Sequence, residues 1–80
     1  MSDMPTLATL PVGHWGQISA VTSGGPSIVR LQELGLVRGT AIKVIRRAPL
    51  GEPIEIEVRG SRLAMRNHEA THFGIGEGTK

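Results

Sequence analysis

The sequence predicts a mainly β protein, a small and strongly bent β-barrel of about five strands with one short α-helix. Three observations lead to this fold class. The chain has 80 residues, the size of one small domain with one compact core. After Thr40, apolar residues recur at every second position, as in strands with one buried face. A single earlier stretch repeats its apolar residues at helical spacing.

The chain divides into a short end, one domain and a short tail. We expect a flexible N-terminus over residues 1–6, a folded domain over 7–76 and a C-terminal tail over 77–80. A strand is predicted from about Trp15 to Val21. Before it, three apolar residues anchor a turn-like lead-in: Leu7, Leu10 and Val12.

The helix is predicted in the stretch GGPSIVRLQELGL. Pro26 suits a first helical turn, and Gly35 stands where a helix ends in a left-handed residue. Leu36 follows as the apolar contact that closes such an end. A helix of about two turns cannot stand alone, so its apolar residues must pack on a sheet. These residues are Ile28, Leu31 and Leu34.

The remaining strands follow from alternation. The stretch IEIEVR is the clearest strand, with a buried and a wet face, and Gly60–Ser61 is the predicted hairpin turn after it. Residues 67–71 can form one turn before the last strand. Ile42 and Val44 alternate with Lys43 and Ile45, and a last short strand runs through Phe73 and Ile75. The residues predicted to face inward are Ile18, Ile54, Ile56, Val58, Leu63 and Met65.

Composition excludes several classes of function. With no cysteine, the chain cannot hold disulfides, thiolate zinc sites or a catalytic thiol. No signal peptide or membrane-spanning apolar run is present, and the net charge of +2 is spread along the chain. One Trp, one Phe and no Tyr are too few aromatic rings for base stacking or for a proline-peptide groove.

One five-residue stretch, HEATH, matches the H-E-x-x-H pattern of zinc peptidases. That chemistry needs a regular helix, a third ligand and an open coordination position. Only eight residues follow His72, and glycines interrupt them. A zinc metallohydrolase is therefore the least favoured function, and we expect a protein that is not an enzyme.

A smaller metal site stays open at the same stretch. One helical turn would bring His68 and His72 together, so that the pair could hold a transition metal at the surface. Glu69, His14 or a neighbouring molecule would complete the site. We expect no required cofactor, and an adventitious or regulatory Zn or Fe(II) at most.

The turn APLGEP is the candidate contact surface. Leu50 lies at its tip, and a large apolar side chain on a tight turn is hard to bury in the core of its own domain. The alternative is that Leu50 folds back over the end of the barrel. The candidate partner-binding residues are Arg46, Arg47, Pro49, Leu50, Gly51, Glu52 and Pro53.

Three stretches, LGLVRGT, RRAPLGEPIEI and RLAMRNHEA, resemble the FeoA family, the small proteins of bacterial ferrous iron transport. The resemblance implies an SH3-like β-barrel in the cytoplasm that binds and modulates FeoB, the ferrous iron permease. A similar SH3-like domain stands at the C-terminus of some metal-dependent repressors. In two places the chain departs from the family pattern. His68 and His72 are not part of it, and SIVRL carries one basic residue where relatives often carry two.

With this resemblance, the turn APLGEP is predicted to dock on the permease. The alternative from another class is a small basic nucleic-acid-binding barrel, for which scattered arginines are weak support. We expect FeoB as the partner, with no nucleic acid and no insertion into the membrane. The sequence leaves a homodimer open.

Overall fold

Five antiparallel strands form a single sheet in the computed structural model, which describes residues 5–76. The strands lie in the order β4-β3-β2-β1-β5. The elements along the chain are β1 (Trp15–Val21), α1 (Pro26–Glu33), β2 (Ala41–Arg47), β3 (Ile54–Val58), β4 (Ser61–Met65), α2 (Asn67–Ala70) and β5 (Phe73–Gly76). The mainly β fold is confirmed, and β1 has the bounds that the sequence predicts.

The two edges of the sheet differ. The outer edge of β5 is covered by the lead-in, where Thr6 bridges to Gly74 and the Ile75 amide donates to the Pro5 carbonyl at 3.0 Å. The paired part of the chain therefore includes Pro5 and Thr6, two residues before the predicted start of the domain. Among the described strands, β4 pairs with β3 alone, so the sheet is bent but not closed.

The core lies against one face of the sheet. Alternation gives this face its apolar residues, since every second side chain of a strand points the same way. The close approach of β1 and β5 requires Gly16, because a Cβ there would lie 2.6 Å from Ile75 Cγ2. The largest fully buried side chains are Phe73, Leu7, Ile18, Leu36, Ile42, Ile54, Ile56, Val44 and Val58.

Helix α1 ends as the sequence predicts. The Leu36 amide donates to the Leu31 carbonyl at 3.1 Å, and the Gly35 amide donates to the Gln32 carbonyl at 3.0 Å. Gly35 has a φ of 118°, and Leu36 is buried. These two bonds and the left-handed glycine form a Schellman motif.

The prediction that Leu34 packs inward is wrong. Its side chain is 51% exposed, whereas Ile28 and Leu31 are buried. Leu34 follows Ile28 by six positions, which turns it well away from Ile28 around the helix axis. It is also the residue at which the helix ends, so its side chain lies on the flank of α1 rather than beneath it.

The hairpin between β3 and β4 turns one residue earlier than predicted. Val58 pairs with Ser61, so the turn residues are Arg59 and Gly60, with φ of 52° and 80°. Positive φ at both central residues defines a type I′ turn, whose twist matches that of the flanking strands. Ser61 belongs to β4, and Leu63 and Met65 keep the inward positions that alternation predicts.

A second helix, α2, stands where the sequence allows one turn. The expected count of one helix is therefore too low by this four-residue element. No helix within residues 5–76 is long and apolar enough to cross a bilayer.

Candidate partner-binding site

Two backbone hydrogen bonds hold the turn between β2 and β3, one within the tight turn and one at its base. The Gly51 amide donates to the Ala48 carbonyl at 2.7 Å, and the Ala48 amide donates to the Pro53 carbonyl at 3.2 Å. Pro49 takes the second position of the tight turn, where its fixed φ fits. Gly51 closes the turn with a φ of 94°, a conformation that glycine adopts without strain.

Leu50 points into solvent at the tip of this turn. Its side chain is 96% exposed, the highest value among the exposed large apolar residues of the described chain. The alternative that Leu50 folds back over the end of the sheet is therefore wrong. Pro49 and Pro53 beside it are exposed as well. The turn thus presents an apolar tip on a backbone that its own hydrogen bonds fix.

Helix α2 supports the turn from below. The Asn67 amide donates to Glu52 Oε2 at 2.9 Å, and Asn67 Nδ2 donates to the Gly51 carbonyl at 3.4 Å. Arg66 Nη1 lies 3.9 Å from Glu52 Oε1. Glu52 therefore caps the first turn of α2, and in return α2 positions the turn that carries Leu50.

Sequence reasoning missed Asn67 as a support. Glu52 was predicted as a contact residue for a partner, but its carboxylate is engaged with the chain itself. The contact joins residues 15 positions apart, and no local pattern marks such a pair. The only available signal was a polar residue, Asn67, two positions after β4, where a helix can begin.

The two arginines that end β2 have different surroundings. Arg46 pairs with Glu55 at 3.1 Å across the β2–β3 ladder, and its side chain is about half exposed. Arg47 Nη2 donates to the carbonyls of Ala8 and Leu10 at 2.9 and 3.0 Å. Arg47 thus fastens the lead-in to β2, while Arg46 remains accessible beside the turn.

The H-E-x-x-H stretch does not form the helix of a zinc peptidase. Helix α2 ends at Ala70, so His72 lies beyond it. The Glu69 carboxylate accepts the Arg66 amide at 2.9 Å and so caps the start of α2. The peptidase pattern needs a general base at this position, but the Glu69 carboxylate has a structural role here.

The histidine side chains also have structural surroundings. His72 Nδ1 lies 3.0 Å from Thr22 Oγ1, and its ring packs so closely that a Cβ on Gly24 would be 2.7 Å from Cε1. His68 and His14 are exposed. Between Pro5 and Gly76, no three His, Cys, Asp or Glu side chains lie together as a metal site. The two-histidine metal site stays a prediction, and its remaining ligands would come from outside the described chain.

The two aromatic rings offer little surface for stacking. Phe73 is fully buried in the core. Trp15 is half-buried, and Lys43 Nζ lies 5.8 Å from the centroid of its ring. A single partly covered ring does not form the row of platforms on which single-stranded nucleic acids stack.

The open, bent sheet with a helix after its first strand is an SH3-like fold that lacks an aromatic peptide groove. The same fold occurs in a FeoA protein of Stenotrophomonas maltophilia, solved with zinc and described as a prokaryotic SH3 domain protein. It is 30% identical to this chain with a TM-score of 0.78, over 90% of this chain and 89% of that one.

Two further comparisons place the chain in a family. The FeoA domain model matches residues 6–73. A FeoA protein from Chlorobium tepidum is 39% identical with a TM-score of 0.82, and the match covers 89% of this chain and 68% of that protein. The chain therefore belongs to the FeoA family, which is linked to ferrous iron transport.

The predicted likeness to metal-dependent repressors is confirmed at the level of fold. A manganese-dependent transcriptional repressor superposes with a TM-score of 0.79 over 95% of this chain and 37% of that one. The sequence identity is 14%, so the likeness concerns the fold alone.

Proposed function

We propose that this chain is a non-enzymatic accessory protein of bacterial ferrous iron uptake that works in the cytoplasm. It binds the FeoB permease through the turn at residues 48–53 and modulates its state. Membership of the FeoA family supports the link to iron uptake. The turn supports the mode of action, because a docking protein needs an exposed surface that is already in its bound shape.

The 96% exposure of Leu50 is the observation that carries this proposal. Full burial of an exposed leucine side chain against a partner contributes about 1.5–3 kcal/mol. Leu50 stands on a turn that is braced by the Asn67–Glu52 and Asn67–Gly51 hydrogen bonds. Little backbone freedom is then lost on docking, which favours affinity.

The residues beside Leu50 take separate roles in this proposal. Arg46 can exchange its Glu55 partner for a carboxylate of the permease, because its side chain is already accessible. Arg47 keeps its two backbone carbonyls and holds the base of the turn. Pro49 and Pro53 add apolar area beside Leu50.

Modulation of the permease follows from differential affinity. A bound protein shifts an equilibrium between two states only if it binds one of them more tightly. The FeoA-type chain would stabilise whichever assembly or conformation of FeoB presents a pocket for Leu50. No covalent chemistry is needed for this effect, which is consistent with the structural use of Glu69 in α2.

The test is the affinity of the purified protein for detergent-solubilised FeoB, compared between wild type and Leu50→Asp. We expect Leu50→Asp to lower the affinity at least about thirtyfold, the effect of an interface hot spot of about 2 kcal/mol. Val29→Asp is the matched control. Val29 is an apolar surface residue too, with its side chain 51% exposed, but it lies on α1.

Three outcomes contradict the proposal. Equal affinity of wild type and Leu50→Asp would remove the turn from the interface. An equal loss with Val29→Asp would indicate a general effect of the added charge. If no form binds FeoB but the protein shifts single-stranded DNA or RNA at about 50 mM salt, the nucleic-acid alternative replaces the permease as partner.

A further inference from the structure

A groove runs between one flank of α1 and the edge strand β4. It has a volume of about 490 Å³, and Pro53 and Glu69 also line it. Its apolar lining includes Leu34, which is 51% exposed, and Leu63, which is partly buried. The groove does not include Leu50, so it is a surface separate from the tip of the turn.

The wall of the groove on the β4 side has free backbone groups. The two-residue turn places Val58 and Ser61 in a hydrogen-bonded pair, and such pairs alternate along an antiparallel ladder. Arg62 and Ala64 therefore direct their amide and carbonyl groups away from β3. No other strand within residues 5–76 pairs with this edge. An unpaired edge of this kind can accept an added strand.

The rim of the groove is basic. Arg30 of α1, Arg62 of β4 and Arg66 just after β4 line it, with Glu69 as the acidic neighbour. The Glu69 carboxylate is engaged with the Arg66 backbone amide. Arg30 and Arg62 form no ion pair with any other residue of the described chain. Three arginines against one glutamate among the lining residues give the rim a net positive charge, which favours an acidic occupant.

The two faces of β4 determine which kinds of side chain should alternate along a bound segment. Leu63 lies opposite Ile56 on the core face, and Arg62 lies opposite Glu57 on the outer face. Side chains of an added strand would alternate in the same way. Those on the core face would lie beside Leu63 and Leu34, and those on the outer face would lie beside Arg62.

We propose that the edge of β4 binds an extended segment of a partner protein in which acidic and small apolar residues alternate, and that this segment adds as a sixth strand. The apolar side chains enter the groove against Leu34 and Leu63. The carboxylates pair with Arg62 and, at the rim, with Arg30. This surface goes beyond the proposed docking on the permease, since it does not require FeoB.

The test is a nuclear magnetic resonance titration of the ¹⁵N-labelled protein with a synthetic peptide, Gly-Glu-Val-Glu-Val-Glu-Gly, capped at both ends. We expect the largest shifts at the Arg62 and Ala64 amides, because these groups gain hydrogen-bond partners. Two control peptides separate the contribution of negative charge from that of the alternating pattern. One replaces each Glu by Lys, and the other has the same composition without alternation.

Two variants test the two kinds of contact. Arg62→Glu should weaken binding of the acidic peptide about tenfold by reversing a charge at the rim. Ala64→Pro should abolish binding, because the outward amide is lost while the ladder to β3 keeps its bonds. Arg38→Glu is the matched control, since it makes the same charge change outside the groove. The amide spectrum of each variant shows whether its fold is kept.

The proposal is overturned if millimolar acidic peptide shifts no amide of β4, or if the Lys peptide binds equally well. Shifts confined to residues 48–53 would move the site to the turn and also overturn it. Shifts at β4 that appear on concentrating the protein alone, with dimer formation in sedimentation, would assign the edge to a second copy of this chain. None of these outcomes depends on whether the protein binds FeoB.

Discussion

Strand β3 has a different kind of turn at each end. The turn after it, Arg59–Gly60, has only two residues, of which one is charged and neither has an apolar side chain. The turn before it spans residues 48–53, carries Leu50 at 96% exposure and is fastened to α2. A hairpin does not need these extra residues. In our proposal, the short turn serves the fold alone, whereas the long turn also serves a partner.

Removal of the support under the long turn should have the largest effect on stability. Arg47→Met takes away two hydrogen bonds from a charged group to the Ala8 and Leu10 carbonyls. We expect the free energy of unfolding to fall by about 2 kcal/mol, measured by urea denaturation. Arg46→Met is the control and should cost about 0.5 kcal/mol, because its ion pair is exposed. Equal losses would show that the lead-in does not depend on Arg47.

Substitution of the glycine with positive φ in each turn allows the two turns to be compared directly. Gly51 and Gly60 have φ of 94° and 80°. A Cβ at Gly60 would meet no atom within 4 Å, and one at Gly51 would make only an ordinary contact with Asn67 Nδ2 at 3.8 Å. Gly51→Ala and Gly60→Ala should each lower the free energy of unfolding by about 1 kcal/mol through backbone strain. Only Gly51→Ala should also weaken binding to FeoB. Weaker binding in both variants would indicate that lost stability, rather than the shape of the long turn, reduces affinity.

Removal of the Glu52 carboxylate tests whether the long turn needs its support from α2. Glu52→Ala removes the acceptor for the Asn67 amide and should cost about 1 kcal/mol in thermal or urea unfolding. Affinity for FeoB should fall a few-fold, because the turn becomes less ordered. Glu52→Gln keeps an oxygen acceptor and should recover most of both losses. If Glu52→Ala binds as wild type does, the turn does not need its support from α2.

The smallest effect is expected in the short turn. Arg59 is the one non-glycine residue with positive φ among residues 5–76. Arg59→Asn creates the Asn-Gly pair that type I′ turns prefer, and should raise the free energy of unfolding by about 0.5 kcal/mol. Arg38→Asn serves as the control for loss of one positive charge. A loss of FeoB affinity in Arg59→Asn would show that the short turn also contacts the partner.

Features that depend on neighbouring residues were predictable from the sequence. The bounds of β1, the buried side of β3 and the Schellman end of α1 follow from alternation, spacing and one glycine. The hairpin turn was misplaced by one residue because Gly60–Ser61 also has turn residues, and only the pairing of Val58 with Ser61 decides between them. The side chain of Leu34 was wrongly predicted to be buried. Its exposure depends on the residue at which the helix ends, and the spacing of apolar residues does not give that position.

The supports of the candidate site were not predictable. Arg47 reaches Ala8 across 39 positions, and Asn67 reaches Glu52 across 15. Such contacts depend on how the strands come together, so no local pattern carries them. The exposed Leu50 was predictable as one of two alternatives, since a tight turn between prolines limits where its side chain can go.

The claim that the long turn docks on FeoB is tested most directly by site-specific photo-crosslinking in membranes that contain the permease. The photoreactive residue p-benzoylphenylalanine replaces Leu50 in one sample and Val29 in the other. We predict a covalent adduct with FeoB from position 50 and none from position 29. An adduct from position 29 alone, or from neither position while the wild-type protein binds FeoB, would contradict the account.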